Sequence, residues 1–137
     1  MSEFDIFDIA GSGMKAQNMR MNLVASNMAN ADAISSSINE TYRSRQPVFK
    51  AVMDQLDSRN PAPGVKLAGV VESQAPILKE YAPNHPMADD AGYIYRSNVN
   101  VVEEMANMIS ASRSYESNIE VINATKKMMN AVINLGK

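Results

Sequence analysis

Few side chains in this 137-residue chain are of the types that do chemistry, and their spacing gives them no site to do it in. His85 is the single histidine, and Pro83-Asn84-His85-Pro86 is a turn that leaves an imidazole in solvent without a second base or ligand. Asp89 and Asp90, just before Gly92, have the charge to attract a cation but lack the ligand number and spacing of a calcium loop, so they read as turn formers. Glu116 and Glu120 stand one helical turn apart; with no histidine or metal motif beside them they read as a polar helix face, not an acid–base pair. Gly11-Ser12-Gly13 is too short for a phosphate loop and follows a helical pattern, not a strand. Arg43, Arg45 and Lys50, beside Tyr42 and Phe49, are too sparse for a nucleic-acid footprint. No catalytic residue, cofactor or metal is therefore assigned, and the chain is not read as an enzyme.

Bulk properties narrow the classes further. A net charge of −2 provides no general attraction to nucleic acid or to an anionic membrane, and the absence of Cys excludes disulfides, thiolate chemistry and Cys-ligated zinc. Eleven Met and no Trp make the apolar surface flexible and aliphatic, as in helix interfaces that repack. No apolar run is long enough to span a bilayer, so no direct membrane insertion is expected. The acidic start, with Glu3, Asp5 and Asp8, lacks the basic region and apolar core of a cleaved signal peptide.

What the residues do specify is helix pairing. From Val101 to Leu135 there is neither Pro nor Gly, which allows one uninterrupted helix of ~50 Å at ~1.5 Å per residue. Val101, Met108, Tyr115, Ile122 and Met129 recur at heptad spacing, and Met105, Ser112, Ile119, Lys126 and Ile133 fill the intervening places, a seam with two polar faults. Val121, Met128 and Leu135 widen it beyond what one partner covers. Asn100 with Glu103 makes an N-x-x-E capping box, and Glu103 and Glu104 suit the positive helix end, while Lys126, Lys127, Gly136 and Lys137 mark the other end. A second stripe opens the chain after a Ser2 cap: Phe7, Met14, Met21 and Met28, with Ala10, Gln17, Val24 and Ala31 between them. Gly11 and Gly13 interrupt it, marking a bend or a place where another backbone comes close.

The outer faces are unusual. Asn18, Asn22, Asn27 and Asn30 on the first helix, and Asn107, Ser110, Ser114, Ser117, Asn118, Asn123 and Asn130 on the second, are weak helix formers that are small and bond sideways. Each helix is thus expected to be marginal alone and completed by packing. Between them, Ala33–Glu40 reads as a mobile serine-rich loop and Pro47–Met53 as a short strand or a helical turn. Asn60–Gly64 reads as a turn, Val65–Val71 as a strand with a fault at Gly69, and Pro76–Tyr81 and Tyr93–Tyr95 as strands flanking a turn-rich Ala82–Gly92. The fold expected is mainly α with a small β-rich insertion, divided as an N-terminal helix over residues 1–34, a loop and insertion over 35–97, and a C-terminal helix over 98–137.

These residues also carry a resemblance. Leu23–Ala31 (LVASNMANA) resembles the N-terminal signature of the flagellar rod and hook protein family, and Asn98–Met105 (NVNVVEEM), followed by Ile109–Tyr115 (ISASRSY) and Asn118, resembles its C-terminal counterpart. Pro83–Asp89, Gly92-Tyr93 and Gly64-Val65 are similar to residues of the proximal rod members, so the likeness covers nearly the whole chain. One departure is the Asp32-Ala33 lead into a serine-rich loop before Thr41-Tyr42-Arg43, where many members have a Thr-x-Gly-Tyr-Lys type turn; no turn type is assigned over residues 32–46.

The resemblance implies that the terminal helices pair as an antiparallel coiled coil lining a tubular assembly, with the middle segment outside. It implies a structural subunit of the proximal rod of the flagellar basal body, a drive shaft around the export channel. It further implies export by the flagellar type III apparatus without a cleaved signal, and assembly in the periplasm with its own copies, other rod proteins, the rod-base junction protein and membrane-ring components. Torque would pass through interlocked helices, which places the assembly interface at Met14, Met21, Val24, Met28, Met105, Met108, Tyr115, Ile119, Ile122, Met129 and Ile133. Asn27, Asn30, Asn98, Asn100, Glu103, Glu104, Arg113 and Asn118 would set turns, caps and lateral hydrogen bonds. The rival reading is a soluble helical adaptor or export chaperone that holds a partner helix in a Met-rich groove.

Overall fold

The computed structural model describes residues 3–52 and 64–135. Two long helices enclose a β-rich insertion: α1 (Glu3–Ala29), β1 (Ile34–Ser35), β2 (Arg45–Val52), β3 (Gly64–Glu72), β4 (Leu78–Tyr81), β5 (Tyr93–Arg96) and α2 (Val101–Leu135). The expected Ser2 cap, most of the Asn60–Gly64 turn and the Gly136-Lys137 end fall outside the described residues.

The helix ends follow from local chemistry. Asn100 Oδ1 accepts the free N–H groups of Val102 (3.1 Å) and Glu103 (3.4 Å), so α2 begins where the capping sequence places it. At the C-terminal end of α1, the Asn30 side-chain amide donates to the Ser26 carbonyl (2.8 Å), which the ending helix would otherwise leave with fewer partners. Gly11 and Gly13 do not break α1, which runs through both. Only Gly13 meets another element: a Cβ built there would lie 3.0 Å from Asn118 Nδ2, whereas one on Gly11 would have nothing within 4 Å. Close approach, not bending, is what the second glycine permits.

Residue 13 of α1 therefore lies against 118 of α2, the Arg20 guanidinium donates to Asn107 Oδ1 (3.0 Å), and the Asn27 amide donates to Glu104 Oε1 (2.9 Å). Partners descend along α2 as they ascend along α1. On α1 the seam contains buried Ala10 and Val24 with half-buried Met14, Gln17, Met21 and Met28 between them. On α2 the half-buried Met108, Tyr115, Ile122 and Met129 lie along it, while Val101, the first of the heptad row, is exposed. The second row differs from the expected one. Glu104, Ala111 and Thr125 are the buried residues of α2, joined by half-buried Asn118, while Met105, Ile119, Lys126 and Ile133 are exposed and Ser112 is half-buried. Small side chains let two backbones approach; a row of Met and Ile would have held them apart.

The insertion forms two sheets rather than one. β2 and β3 pair antiparallel as a hairpin from Arg45↔Glu72 to Val52↔Gly64, which settles Pro47–Val52 as strand. Its register slips between Val48 and Phe49, which pair with Gly69 and Leu67 and leave Ala68 over, so the fault expected at Gly69 is a bulge. The hairpin lies on α1, where Ser12 Oγ accepts the Val65 N–H (3.1 Å) and Phe49, Val65 and Leu67 line a cavity of about 340 Å³ with Ala16 and Met19. The other sheet has the order β1-β5-β4, with Ile34↔Arg96 and Leu78↔Arg96 on either side of β5. Residues 33–40, expected as a mobile loop, contain β1 and a serine knot: Ser35 and Thr41 are buried and share a hydrogen bond of 2.6 Å, and Thr41 Oγ1 also donates to the Ser37 carbonyl (2.8 Å). The hydroxyls satisfy one another and the backbone, as buried polar groups must.

The turn over residues 82–92 is organised by Asp89. Its carboxylate accepts the N–H groups of Tyr93 (2.8 Å) and Ala91 (3.0 Å) and the Tyr95 hydroxyl (3.1 Å). Gly92 has φ +80°, and a Cβ there would meet the Tyr81 ring at 3.0 Å and Pro83 at 3.1 Å, so the position needs glycine on both counts. His85 Nδ1 accepts the Met87 N–H (3.1 Å) within this turn.

Candidate assembly surface

The signature residues converge where α1 ends, β2 begins and α2 starts. Asn27 is 1% exposed, and its carboxamide ties α1 to α2, to β2 and to the segment that precedes β2. Nδ2 donates to Glu104 Oε1 (2.9 Å) and the Arg45 carbonyl (2.9 Å), with Ser44 Oγ at 3.3 Å, while Oδ1 accepts the Arg45 N–H (2.9 Å) and the Tyr42 hydroxyl (2.9 Å). An asparagine side chain carries the same donor and acceptor as a peptide group, so it grips both polar atoms of the first β2 residue as a neighbouring strand would. Ser44 is also buried; its hydroxyl donates to Glu104 Oε1 (3.2 Å) and its N–H to Asn98 Oδ1 (2.8 Å). Asn98 Nδ2 donates onward to the Ala75 carbonyl (2.9 Å), and Ser97 Oγ to the Ala31 carbonyl (2.8 Å).

This knot gives Asn27, Asn98 and Glu104 an internal task. Glu104 carries a buried carboxylate with neutral donors from Asn27 and Ser44, and no ion pair to it is formed among the described residues. Ser44, and Tyr42, which the sequence marked only as an aromatic beside a sparse basic cluster, are members of the same network. Their neighbourhood was visible only as a short polar stretch before a strand. Asn27 and Asn118, assigned to outer faces from sequence, are corrected: Asn27 is buried and Asn118 faces Gly13 within the subunit. Val24 is likewise internal, Asn30 and Asn100 act at helix ends, and Glu103 and Arg113 are exposed.

A different set of residues faces outward. Met105 is 51% exposed, Ile119 37% and Ile133 60%, one row displaced from the pairing seam, and Val102 and Ile109 flank them. Toward the end of α2, Met128, Val132 and Leu135 are exposed as well. With Gly13 opposite 118 and residue 27 opposite 104, the start of α1 falls opposite residue 128, so the last turns of α2 extend past the described part of α1. This much aliphatic surface on one helix is unlike scattered single exposures. Among the described residues, no group of three or more His, Cys, Asp or Glu is placed to hold a metal, and no helix is long and apolar enough to cross a membrane.

A paired-helix frame, an internal polar clasp and a long aliphatic face left uncovered define a structural subunit whose surfaces are made to meet other proteins. Residues 7–33 match the family described as Flagella basal body rod protein, and residues 90–135 match Flagellar basal body rod FlgEFG protein C-terminal. The chain is 48% identical over 139 residues to the flagellar basal-body rod protein FlgC of Salmonella typhimurium and 46% over 142 residues to that of Escherichia coli O157:H7. It is 43% identical over 137 residues to FlgC of Yersinia enterocolitica, and all three likenesses span 100% of both chains. The chain belongs to the flagellar basal-body rod protein family, with FlgC proteins among its relatives. It is a structural component of the basal-body rod, not an enzyme.

Proposed function

We propose that this chain is a subunit of the proximal rod, in which α1 and α2 pair as an antiparallel coiled coil and neighbouring subunits cover the face of α2 that the pairing leaves open. Residues 1–34 and 98–137 then form one discontinuous domain, with 35–97 displayed outside it. The observation that carries this reading is the displaced row Met105, Ile119 and Ile133, aliphatic and exposed beside a seam that is already filled by Ala111, Asn118 and Thr125. Covering the exposed part of each such side chain contributes about 1 kcal/mol, so many of them must be covered together to offset the ~4–15 kcal/mol that association costs.

In the assembled rod these helices line a tube around the export channel and transmit torque through interlocked side chains. Partners are other copies, other rod proteins, the junction protein at the rod base and membrane-ring components. The location is periplasmic, reached through the flagellar export apparatus without a cleaved signal. The adaptor or chaperone reading has no observation of its own in its favour.

The test is Met105→Glu and Ile119→Glu, separately. Met105 is the more exposed, so Met105→Glu should leave unfolding within about 0.5 kcal/mol of the parent, while Ile119→Glu, at a position 37% exposed, should cost about 1 kcal/mol and still leave the helical circular dichroism unchanged. Incorporation into basal bodies and swimming should be lost, because a carboxylate cannot be covered there without a partner. Folded variants that still enter basal bodies would remove this row from the interface.

A further inference from the structure

Both strands of the β2–β3 hairpin approach α1, and among the described residues they make no comparable backbone approach to α2. Its two roots are nevertheless held from the start of α2. The Ser73 N–H donates to the Ser44 carbonyl (2.8 Å), closing the base of the hairpin. Ser44 is bound through its N–H to Asn98 and through its hydroxyl to Glu104, and Asn27 bridges Glu104 to both backbone polar groups of Arg45. When α2 is unpaired, the Asn27 amide and the Ser44 hydroxyl lose the one acceptor they share, and buried Ser44, the residue before β2, loses the partner of its hydroxyl.

We infer that Glu104 couples helix pairing to hairpin order: the hairpin takes its fixed place on α1 only when α2 has docked and delivered its carboxylate to Asn27 and Ser44. The device is a two-site coupling carried by one side chain, and it works in the sense that α2 pairing orders the hairpin and hairpin order favours α2 pairing. In a rod subunit the outward-facing hairpin would then be presented only by a chain whose C-terminal helix is in place. That consequence rests on the rod reading; the coupling does not.

Hydrogen exchange read by mass spectrometry across a urea series on the full chain tests it, with parent, Glu104→Gln and Glu104→Leu compared. In the parent, peptides covering 45–52 and 64–72 should lose protection at the same urea concentration as 108–122 of α2. Gln retains one carbonyl acceptor and should keep the two together. Leu should separate them, with the hairpin exchanging about tenfold faster or more at low urea while the middle of the helix pair, 10–21 with 108–122, keeps its protection to distinctly higher urea than the hairpin, at a midpoint below that of the parent. Three results would overturn the inference: separate transitions in the parent, an unchanged hairpin in Glu104→Leu, or loss of hairpin and helix pair together in Glu104→Leu. None of these bears on whether the parent chain enters basal bodies, so the coupling and the rod reading fail separately.

Discussion

Alanine at Gly11 should stabilise the chain and alanine at Gly13 should not, although the two sites are two residues apart on one helix. Replacing a helical Gly by Ala stabilises by about 1 kcal/mol through backbone entropy if the new methyl is accommodated. At Gly11 a Cβ has nothing within 4 Å, so the full gain is expected, a rise of about 3 to 4 °C in Tm for a chain of this size. At Gly13 the same methyl would stand 3.0 Å from Asn118 Nδ2 and 3.4 Å from both Cγ and Oδ1. Asn118 is half-buried in the seam, so it must shift against packed neighbours, an overpacking cost of about 1–3 kcal/mol that cancels or exceeds the gain. Gly13→Ala should therefore fall about 1–3 kcal/mol below Gly11→Ala. The assay is urea unfolding followed by circular dichroism at the helix band. A double-mutant cycle adds the internal check: in an Asn118→Ala background the clash is gone, and Gly13→Ala should stabilise as Gly11→Ala does. If Gly13→Ala matches Gly11→Ala in the parent background, the two helices do not approach at residues 13 and 118 and the seam described above is wrong.

Other perturbations test the insertion. The Tyr93 N–H, with the Tyr95 hydroxyl and the Ala91 N–H, holds the Asp89 carboxyl below its ordinary value. A depressed carboxyl stabilises the fold above the ordinary carboxylate range and loses that contribution as pH falls through its folded value. Exchange of the Ala91 and Tyr93 amides should thus be constant, after correction for intrinsic rates, from neutral pH down to that range and rise only below it, while Asp89→Ala should produce the fast exchange at neutral pH. Gly92→Ala adds a methyl at positive φ against Tyr81 and Pro83 and should cost about 1–3 kcal/mol, read as a lowered unfolding midpoint. Ser12→Ala should speed exchange of the Val65 amide while costing no more than about 1 kcal/mol overall, since that bond is exposed.

Much of this architecture is legible in the sequence because it is local. The absence of Pro and Gly from 101–135, the Asn100 cap and the heptad spacing of Met108, Tyr115, Ile122 and Met129 specify α2, its start and half of its contact row. The turn chemistry around Asp89 and Gly92 is equally local, since it depends on φ and on hydrogen bonds a few residues apart, whereas the break near Gly69 is a bulge set by its pairing with β2. Hydrophobic periodicity alone could not say which second row faces α1. It favoured Met105 and Ile119, but the pair approaches so closely at Gly13 that size decided, and Ala111, Asn118 and Thr125 took the seam and left the larger residues outside. The fate of the asparagines was likewise beyond the sequence. On a helical wheel Asn27 is one polar residue among several, and its burial follows from Glu104, Ser44 and Tyr42 arriving from positions far apart in the chain with the donors and acceptors it lacks. Two helices, their ends and an excess of apolar surface follow from local residue choice; which part of that surface is covered within the subunit and which is left for its neighbours depends on how closely two backbones can approach, and so emerges only when the helices pack.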